Sequence, residues 1–122
     1  MRIRRMREKD ADAAAVLLCR SGLAVDGATL VQRIRDFQYQ RNHMAAVAEH
    51  RGRVFALIHI GAEPSLTCGR CARVYTLLTD AEAYPPVPRD TLLGYARQWA
   101  KQHGCEILLE DSAAKAQNKK GL

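Results

Sequence analysis

A segment with the features of an anion-binding site lies in the second half of the chain. The alternating apolar residues of 72–80 predict a strand, and a proline-rich loop then leads into a predicted amphipathic helix. The first N–H groups of a helix lack intrahelical partners and carry partial positive charge, so Arg89, Asp90 and Thr91 can hold a phosphate there. The alternative is that Pro88 and Asp90 serve only to start the helix, since proline and aspartate are common in a first turn.

Four cysteines offer a second kind of chemistry. Cys68-Gly-Arg-Cys71 has the spacing of half a zinc site or of a redox pair. Because no second CxxC and no His-x-x-x-His accompanies it in the sequence, a plain hairpin turn at Cys68-Gly69 with free thiols is favoured, and we expect no metal site. Cys19 and Cys105 lie within apolar patterns, which predicts that both side chains are buried.

Composition limits the class of protein. The chain has 122 residues, of which 48% are hydrophobic and 26% are charged, so we expect a single domain over residues 1–122. The net charge of +6 suits a phosphate-bearing ligand, or simply reflects a basic solvated surface. No apolar run reaches the length of a membrane span, and no apolar segment follows the basic start of the chain as it does in a secretory signal. We therefore expect a cytoplasmic protein that does not enter a membrane.

Hydrophobic periodicity predicts alternating strands and helices along the whole chain. The strands are predicted over residues 1–6, 44–49, 54–60, 70–79 and 105–110, the helices over residues 10–21, 26–40 and 91–103, and a weaker helix over residues 113–120. Asp26 can cap the second helix, and the side chains of the third helix expected to face the sheet are Leu92, Leu93, Ala96, Trp99 and Ala100. The short helical connection between the last two strands requires them to be parallel, whereas the hairpins before it are antiparallel. The order predicts an α/β (α+β) fold: a mixed, mostly antiparallel sheet flanked by helices, with the strand at 54–60 near its centre.

The helix predicted over 91–103 ends in Trp99-Ala-Lys-Gln-His-Gly-Cys105, and it follows a strand that ends at Thr79-Asp80. These residues, the order of the elements and the loop lengths resemble the GNAT family of acyltransferases over nearly the whole chain. In that family a Gly-rich Arg/Gln-x-x-Gly-x-Gly/Ala turn joins the strand to the helix, whereas Pro-Pro-Val-Pro-Arg-Asp stands at 85–90 here. One or two further strands that follow the last helix in the family are not predicted here, so the resemblance implies a GNAT-like fold with truncated C-terminal strands.

The resemblance implies that acetyl-CoA binds along the fourth strand and at the start of the following helix. The strand edge that would pair with the pantetheine amides consists of Leu77, Leu78 and Thr79. The pyrophosphate would lie against the N–H groups of Arg89, Asp90 and Thr91, with a charge-assisted contact from the Arg89 side chain. Because proline has no N–H group, the prolines of the loop remove donors, and we expect acetyl-CoA to bind weakly.

The resemblance also implies a base that takes a proton from the amine that attacks the thioester. The position where the family often has a glutamate falls on Tyr75, and an unperturbed phenol is a poor base near neutral pH. His59, on the neighbouring strand, titrates in the right range, although a lone strand histidine is often structural. The tyrosine that protonates the leaving thiolate in the family corresponds to Gln117, which cannot act as an acid. Tyr75 and His59 are therefore the candidate catalytic residues.

Two functions remain open. The first is an N-acetyltransferase that moves the acetyl group of acetyl-CoA to a small-molecule or protein amine. The second is a catalytically degenerate GNAT-fold protein with a binding or regulatory role, which the prolines, Tyr75 and Gln117 favour. A nucleic-acid-binding protein fits less well, because Tyr39, Tyr75 and Tyr95 do not form a basic patch interleaved with aromatic residues. We also expect a homodimer, since the apolar strand at 105–110 would be an unpaired edge.

Overall fold

The computed structural model describes residues 1–82, 86 and 88–110, and their elements follow the predicted order. The strands are β1 (Arg2–Arg5), β2 (His43–His50), β3 (Arg53–Ser65), β4 (Gly69–Thr79) and β5 (Ile107–Glu110). The helices are α1 (Ala11–Arg20), which follows a 3-10 turn at Glu8–Asp10, α2 (Gly27–Phe37) and α3 (Arg89–Gln102). Within the described ranges, no helix is long and apolar enough to cross a membrane. The helix predicted over 113–120 and Gln117 lie outside the described residues.

One five-stranded sheet, in the order β1-β2-β3-β4-β5, carries the candidate residues His59, Tyr75 and 77–79, whereas Arg89, Asp90 and Thr91 lie in the first turn of α3. Its first four strands are antiparallel neighbours, and β5 runs parallel to β4 as the helical crossover requires. The predicted mixed, mostly antiparallel sheet is therefore confirmed. β3 is the central strand, in agreement with its almost wholly apolar sequence.

An apolar layer covers each face of the sheet. α3 packs on one face through Leu92, Leu93, Ala96, Trp99 and Ala100, which are the residues predicted from their helical spacing. α1 and α2 pack on the other face through Ala14, Leu17, Leu30 and Ile34. α2 begins at the predicted cap, since the Asp26 carboxylate accepts a hydrogen bond from the N–H group of Thr29 at 2.7 Å.

Left-handed backbone conformations close the two hairpins. Between β2 and β3, Arg51 and Gly52 have φ angles of 53° and 77°, which is the conformation expected of a tight two-residue turn. Between β3 and β4, Gly69 has a φ of 79°, and the hairpin predicted at Cys68-Gly69 is confirmed. Cys68 and Cys71 are free thiols, and no group of three or more potential metal ligands occurs among the described residues.

The structure corrects two details near the cysteines. Cys19 is exposed, so its predicted burial is wrong: the buried stripe of α1 follows Ala14 and Leu17, and Cys19 lies off that stripe. Cys105 is half-buried and packs against the α3 layer. β5 begins later than predicted, because the N–H group of Cys105 donates to the carbonyl of Ala100 at 2.9 Å and still belongs to the end of α3.

β4 and β5 pair over only part of their length. The paired residues run from Cys71 and Ile107 to Val74 and Glu110. Beyond Val74, no described strand lies beside the β5-facing edge of residues 75–79. The two strands share one sheet, and their described pairing ends at Val74 and Glu110. Residues 75–79 of β4 are called the open edge below.

Candidate functional site

A β-bulge lies at the start of the open edge. His59 of β3 lies opposite Thr76 of β4, but the next residue, Ile60, lies opposite Val74. Tyr75 is therefore an extra residue, and such a bulge changes the direction of neighbouring side chains. Tyr75 contacts the His59 ring, and Thr76 lines a cleft beside α2, so both side chains lie on the face of the sheet that α1 and α2 cover.

The bulge completes a cluster of four rings, which we call the imidazole cluster: Phe37, His43, His59 and Tyr75. The centroid of the His59 ring is 4.9 Å from that of Tyr75 and 4.8 Å from that of Phe37. Nδ1 of His43 lies 3.1 Å from Nε2 of His59, within hydrogen-bond distance. The two candidate catalytic residues, Tyr75 and His59, are therefore in contact, and a second imidazole joins them.

Sequence reasoning missed the part that His43 plays. His43 is the first residue of β2, two residues before Ala45 of the α1/α2 layer, and the β2–β3 register places it opposite Gly61. A Cβ atom at Gly61 would lie 2.7 Å from both the His43 and the Tyr75 rings, so only glycine leaves room for the two rings at this point. The available signal was a glycine inside a strand that has a histidine across from it, a pattern that indicates close approach of a neighbouring group.

The environment of His59 keeps its imidazole neutral. Burial and, to a smaller extent, the neighbouring His43 together lower its pKa from 6.5 to about 4. At neutral pH the two facing nitrogens therefore share one hydrogen, with one ring as donor and the other as acceptor. A neutral imidazole retains a lone pair and can accept a proton from a group that approaches it.

This pKa shift predicts that the protein loses stability in mild acid. Between about pH 4 and 6.5 the unfolded chain binds a proton at His59 more readily than the folded chain, so the free energy of unfolding falls as the pH is lowered through this window, by about 2 kcal/mol. Above that window His59 contributes nothing to the pH dependence. The free energy of unfolding, measured in urea at several pH values, should fall less steeply with decreasing pH in His59→Phe than in the wild type. In His50→Gln it should fall as steeply as in the wild type. Equal slopes in all three proteins would contradict the assignment.

The start of α3 differs from the arrangement of three open donors that was predicted. Pro88 caps the helix, and the N–H group of Thr91 donates to its carbonyl at 3.1 Å. The Arg89 guanidinium forms an ion pair with Glu110, the last residue of β5, which pairs with Val74 of β4. Asp90 lies in the first turn. Arg89 is therefore close to the open edge, but a carboxylate already engages its side chain.

Leu77, Leu78 and Thr79 form the open edge that was predicted to bind an extended ligand. The Leu77 side chain is buried in the α3 layer and that of Leu78 in the α1/α2 layer, so the strand is anchored from both faces. Asp80, which is 6% exposed, follows directly and pairs with Arg20 of α1 at 3.2 Å. These contacts fix the side chains of the strand, while an extended ligand that pairs with it would use the backbone groups of its edge.

Comparison with known proteins gives a clear result for structure and none for sequence. No protein-family model matches the sequence, and no curated protein matches it. A GNAT family acetyltransferase of Staphylococcus aureus superposes with a TM-score of 0.78 at 12% identity, over 91% of this chain and 85% of that chain. The chain has the GNAT fold.

Other structures similar to this chain are described as proteins of different functions. A transcriptional regulator from Bacillus halodurans C-125 has a TM-score of 0.80 at 19% identity, over 91% of this chain and 81% of that chain. The aminoglycoside N-acetyltransferase AAC(6')-Iy, solved in complex with CoA, has a TM-score of 0.78 at 10% identity, over 98% of this chain and 81% of that chain. The fold predicted from the order of elements and the Trp99–Cys105 segment is confirmed. Neighbouring structures with this fold include acetyltransferases.

Proposed function

We propose that this GNAT-fold protein transfers the acetyl group of acetyl-CoA to an amine. One observation carries the proposal: the imidazole cluster begins at Tyr75, the first residue of the open edge of β4. An extended pantetheine paired with Leu77, Leu78 and Thr79 would bring a thioester toward that end of the strand. One strand, β4, thus carries both Tyr75 of the imidazole cluster and the proposed backbone site for the acyl donor.

In the proposed reaction, the amine nitrogen forms a bond to the thioester carbonyl carbon and the carbon–sulfur bond to CoA breaks. The proton lost by the amine passes to the neutral pair His43–His59. This pair takes up one additional proton and not two, because two imidazolium rings whose nitrogens are 3.1 Å apart repel each other. Tyr75 donates its hydroxyl proton to the leaving thiolate, and it regains a proton from the imidazolium it contacts. The products are the acetylated amine and the free thiol of CoA.

The phosphate end of the site supports only weak binding. Pro86 and Pro88 have no N–H group, and the N–H group of Thr91 is engaged by the carbonyl of Pro88. A charge-assisted hydrogen bond contributes about 1.5–3 kcal/mol, so the loss of two such bonds weakens the affinity by about two to four decades. We therefore expect a Kd for acetyl-CoA above the micromolar range.

Calorimetry with acetyl-CoA and an assay of thiol release together test the proposed function. We expect weak binding, and release of CoA thiol that depends on an added primary amine and on the protein. Thiol release that is independent of amine, or no binding of acetyl-CoA at millimolar concentration, would overturn the proposal. Micromolar or tighter binding would show instead that the prolines leave the phosphate site intact.

Two variants of one ion pair should change acetyl-CoA affinity in opposite directions. Arg89→Ala removes a cation near the open edge and should raise the Kd by about tenfold or more, since one charge-assisted contact is lost. Glu110→Gln removes the competing carboxylate and should lower the Kd by a few fold. Both variants lose the same Arg89–Glu110 ion pair, so a change that came only from destabilising this corner would have the same sign in both. Calorimetry of the two variants decides, and equal Kd values would place the phosphates elsewhere.

A second candidate function is a non-catalytic binding or regulatory role. The engagement of Arg89 by Glu110 favours it, because the phosphate-binding cation is already paired within the chain. The Bacillus halodurans structure of similar fold is that of a transcriptional regulator. A protein that binds acetyl-CoA without consuming it in the presence of any amine would fulfil this role rather than that of an enzyme.

We propose, further, that two copies pair through β5. Among the described residues, β5 has β4 on one side and no strand on the other, and Leu109 is 39% exposed. Sedimentation at micromolar concentration should show a dimer of the 13.6 kDa chain, which Leu109→Lys converts to a monomer. Leu66→Lys, a fully exposed hairpin position, is the matched control and should remain dimeric. A monomeric wild type would contradict the proposal. Leu108 is a less suitable position because it packs against the α3 layer.

A further inference from the structure

An apolar cleft opens between α1, α2 and the sheet, next to the imidazole cluster. Its volume is about 270 Å³, near the lower end of small-molecule sites. The apolar side chains that shape it include Leu18, Leu23, Leu30, Phe37, Ala45 and Leu57. A cleft of this lining excludes water from apolar groups of a ligand and offers little to a strongly hydrated one.

The polar side chains of the cleft are few and they differ in character. Among its described lining residues, only Arg33, His59 and Thr76 are polar, and none is a carboxylate. His59 belongs to the pair that takes up the amine proton in the proposed reaction, and Thr76 lies directly after Tyr75 on the bulged strand. The cleft therefore borders the proposed reacting centre.

We propose that the acceptor is an amine on an apolar body that carries no second cationic group, and this rests on the proposed function. The apolar body occupies the cleft and the amine nitrogen lies at the end formed by His59 and Thr76. The volume suits a short alkyl chain or a single aromatic ring. The specificity follows from two features of the lining, its apolar walls and the charge of Arg33.

The cleft disfavours polyamines and other polycations because it cannot pair a second positive charge. A second ammonium group in the cleft would lose its hydration with no described carboxylate in the lining to pair with it, and an unpaired charge in an apolar site is strongly unfavourable. Arg33 adds like-charge repulsion. Asp26 is the acid near Arg33, and its pKa is lowered mainly by the N–H group of Thr29 and to a smaller extent by Arg33. Its carboxylate caps α2 and does not line the cleft.

A matched pair of acceptors tests this inference: hexylamine and 1,6-diaminohexane share a chain and differ by one terminal ammonium group. With the wild-type protein and acetyl-CoA, we expect kcat/KM for thiol release to favour hexylamine by at least about tenfold. Arg33→Glu should reduce this ratio about threefold or more, as expected for reversing an exposed charge. Arg97→Glu makes the same charge change on α3, on the opposite side of the sheet, and should leave the ratio unchanged.

Direct binding gives a readout that does not depend on transfer. Titration with hexylamine should shift the NMR signals of the His59 ring, 1,6-diaminohexane should shift them far less, and Leu23→Trp should block the effect by filling the cleft. Transfer to the diamine as efficient as to hexylamine would overturn the acceptor class and leave acetyl transfer intact. Absence of transfer to any amine would refute the proposed function. The titration would then show independently whether the cleft binds such an amine: unaltered His59 signals with hexylamine overturn the inference, and a saturable shift supports it.

Discussion

His59→Phe is expected to lower kcat for acetyl transfer by about 10²–10⁴-fold, the range associated with loss of a positioned base. Phenylalanine preserves a ring of similar size, so the contacts with Phe37 and Tyr75, at centroid distances of 4.8 and 4.9 Å, are retained. What is lost is the nitrogen that faces Nδ1 of His43. Because His59 lies on β3 and does not form the open edge, the Kd for acetyl-CoA should not change. The measurement is kcat from thiol release beside the Kd from calorimetry.

The low pKa of His59 also makes a prediction for the pH profile of kcat. With a pKa of about 4, His59 is neutral above pH 5 and imposes no acid limb on kcat between pH 5 and 8. An acid limb in kcat/KM within that range would follow the pKa of the acceptor amine and move when the acceptor is changed. Tyr75→Phe is the companion variant, since it keeps the ring and removes the hydroxyl that is proposed to protonate the thiolate. A His59→Phe protein that is folded and fully active would refute the role of the imidazole pair.

The order of the elements could be predicted because it depends on local periodicity. Helical spacing in α3 identified the buried side chains from Leu92 to Ala100, and alternating apolar residues identified the strands. Cys19 was the exception, because a single apolar residue at the end of α1 does not reveal whether its helix face is covered. The sheet order followed from short connections, which leave few topologies open.

The geometry of the candidate site could not be predicted in the same way, because it depends on register between strands. The bulge at Tyr75 shifts the pairing after His59 by one residue, and no local pattern marks it. The contact of His43 with His59 requires the β2–β3 register, and the Arg89–Glu110 pair requires the parallel placement of β5. Residues distant in sequence meet here through backbone pairing, so their types were visible in the sequence while their contacts were not.

Arg4→Ala is expected to lower the free energy of unfolding by about 3–5 kcal/mol, the range for removing one partner of a buried ion pair. The Arg4 side chain is 8% exposed and forms two hydrogen bonds of 2.8 Å to the Asp10 carboxylate and one of 3.0 Å to Glu49. It thereby ties β1, the turn before α1 and β2 together. Asp10, which is 4% exposed, would retain only the N–H group of Arg7 as a described partner. Since whole domains are stable by only about 5–15 kcal/mol, the loss should be evident in urea unfolding.

A double-mutant cycle and a comparison with a surface ion pair show whether the loss of stability in Arg4→Ala comes from the burial of its ion pair. Burial alone would raise the pKa of Asp10, but the hydrogen bonds from Arg4 and Arg7 lower it overall. The ionised carboxylate therefore stabilises the fold at pH values above the ordinary pKa of an aspartate, and this contribution is lost as the pH falls through the lowered pKa. Arg4→Ala combined with Asp10→Ala should therefore cost less than the sum of the two single variants, because no charge is left buried. Arg35→Ala breaks a pair with Glu8 in which both side chains are largely exposed, and it should cost less than about 1 kcal/mol. Equal losses for Arg4→Ala and Arg35→Ala would show that the contact of α1 with the sheet does not depend on the buried network.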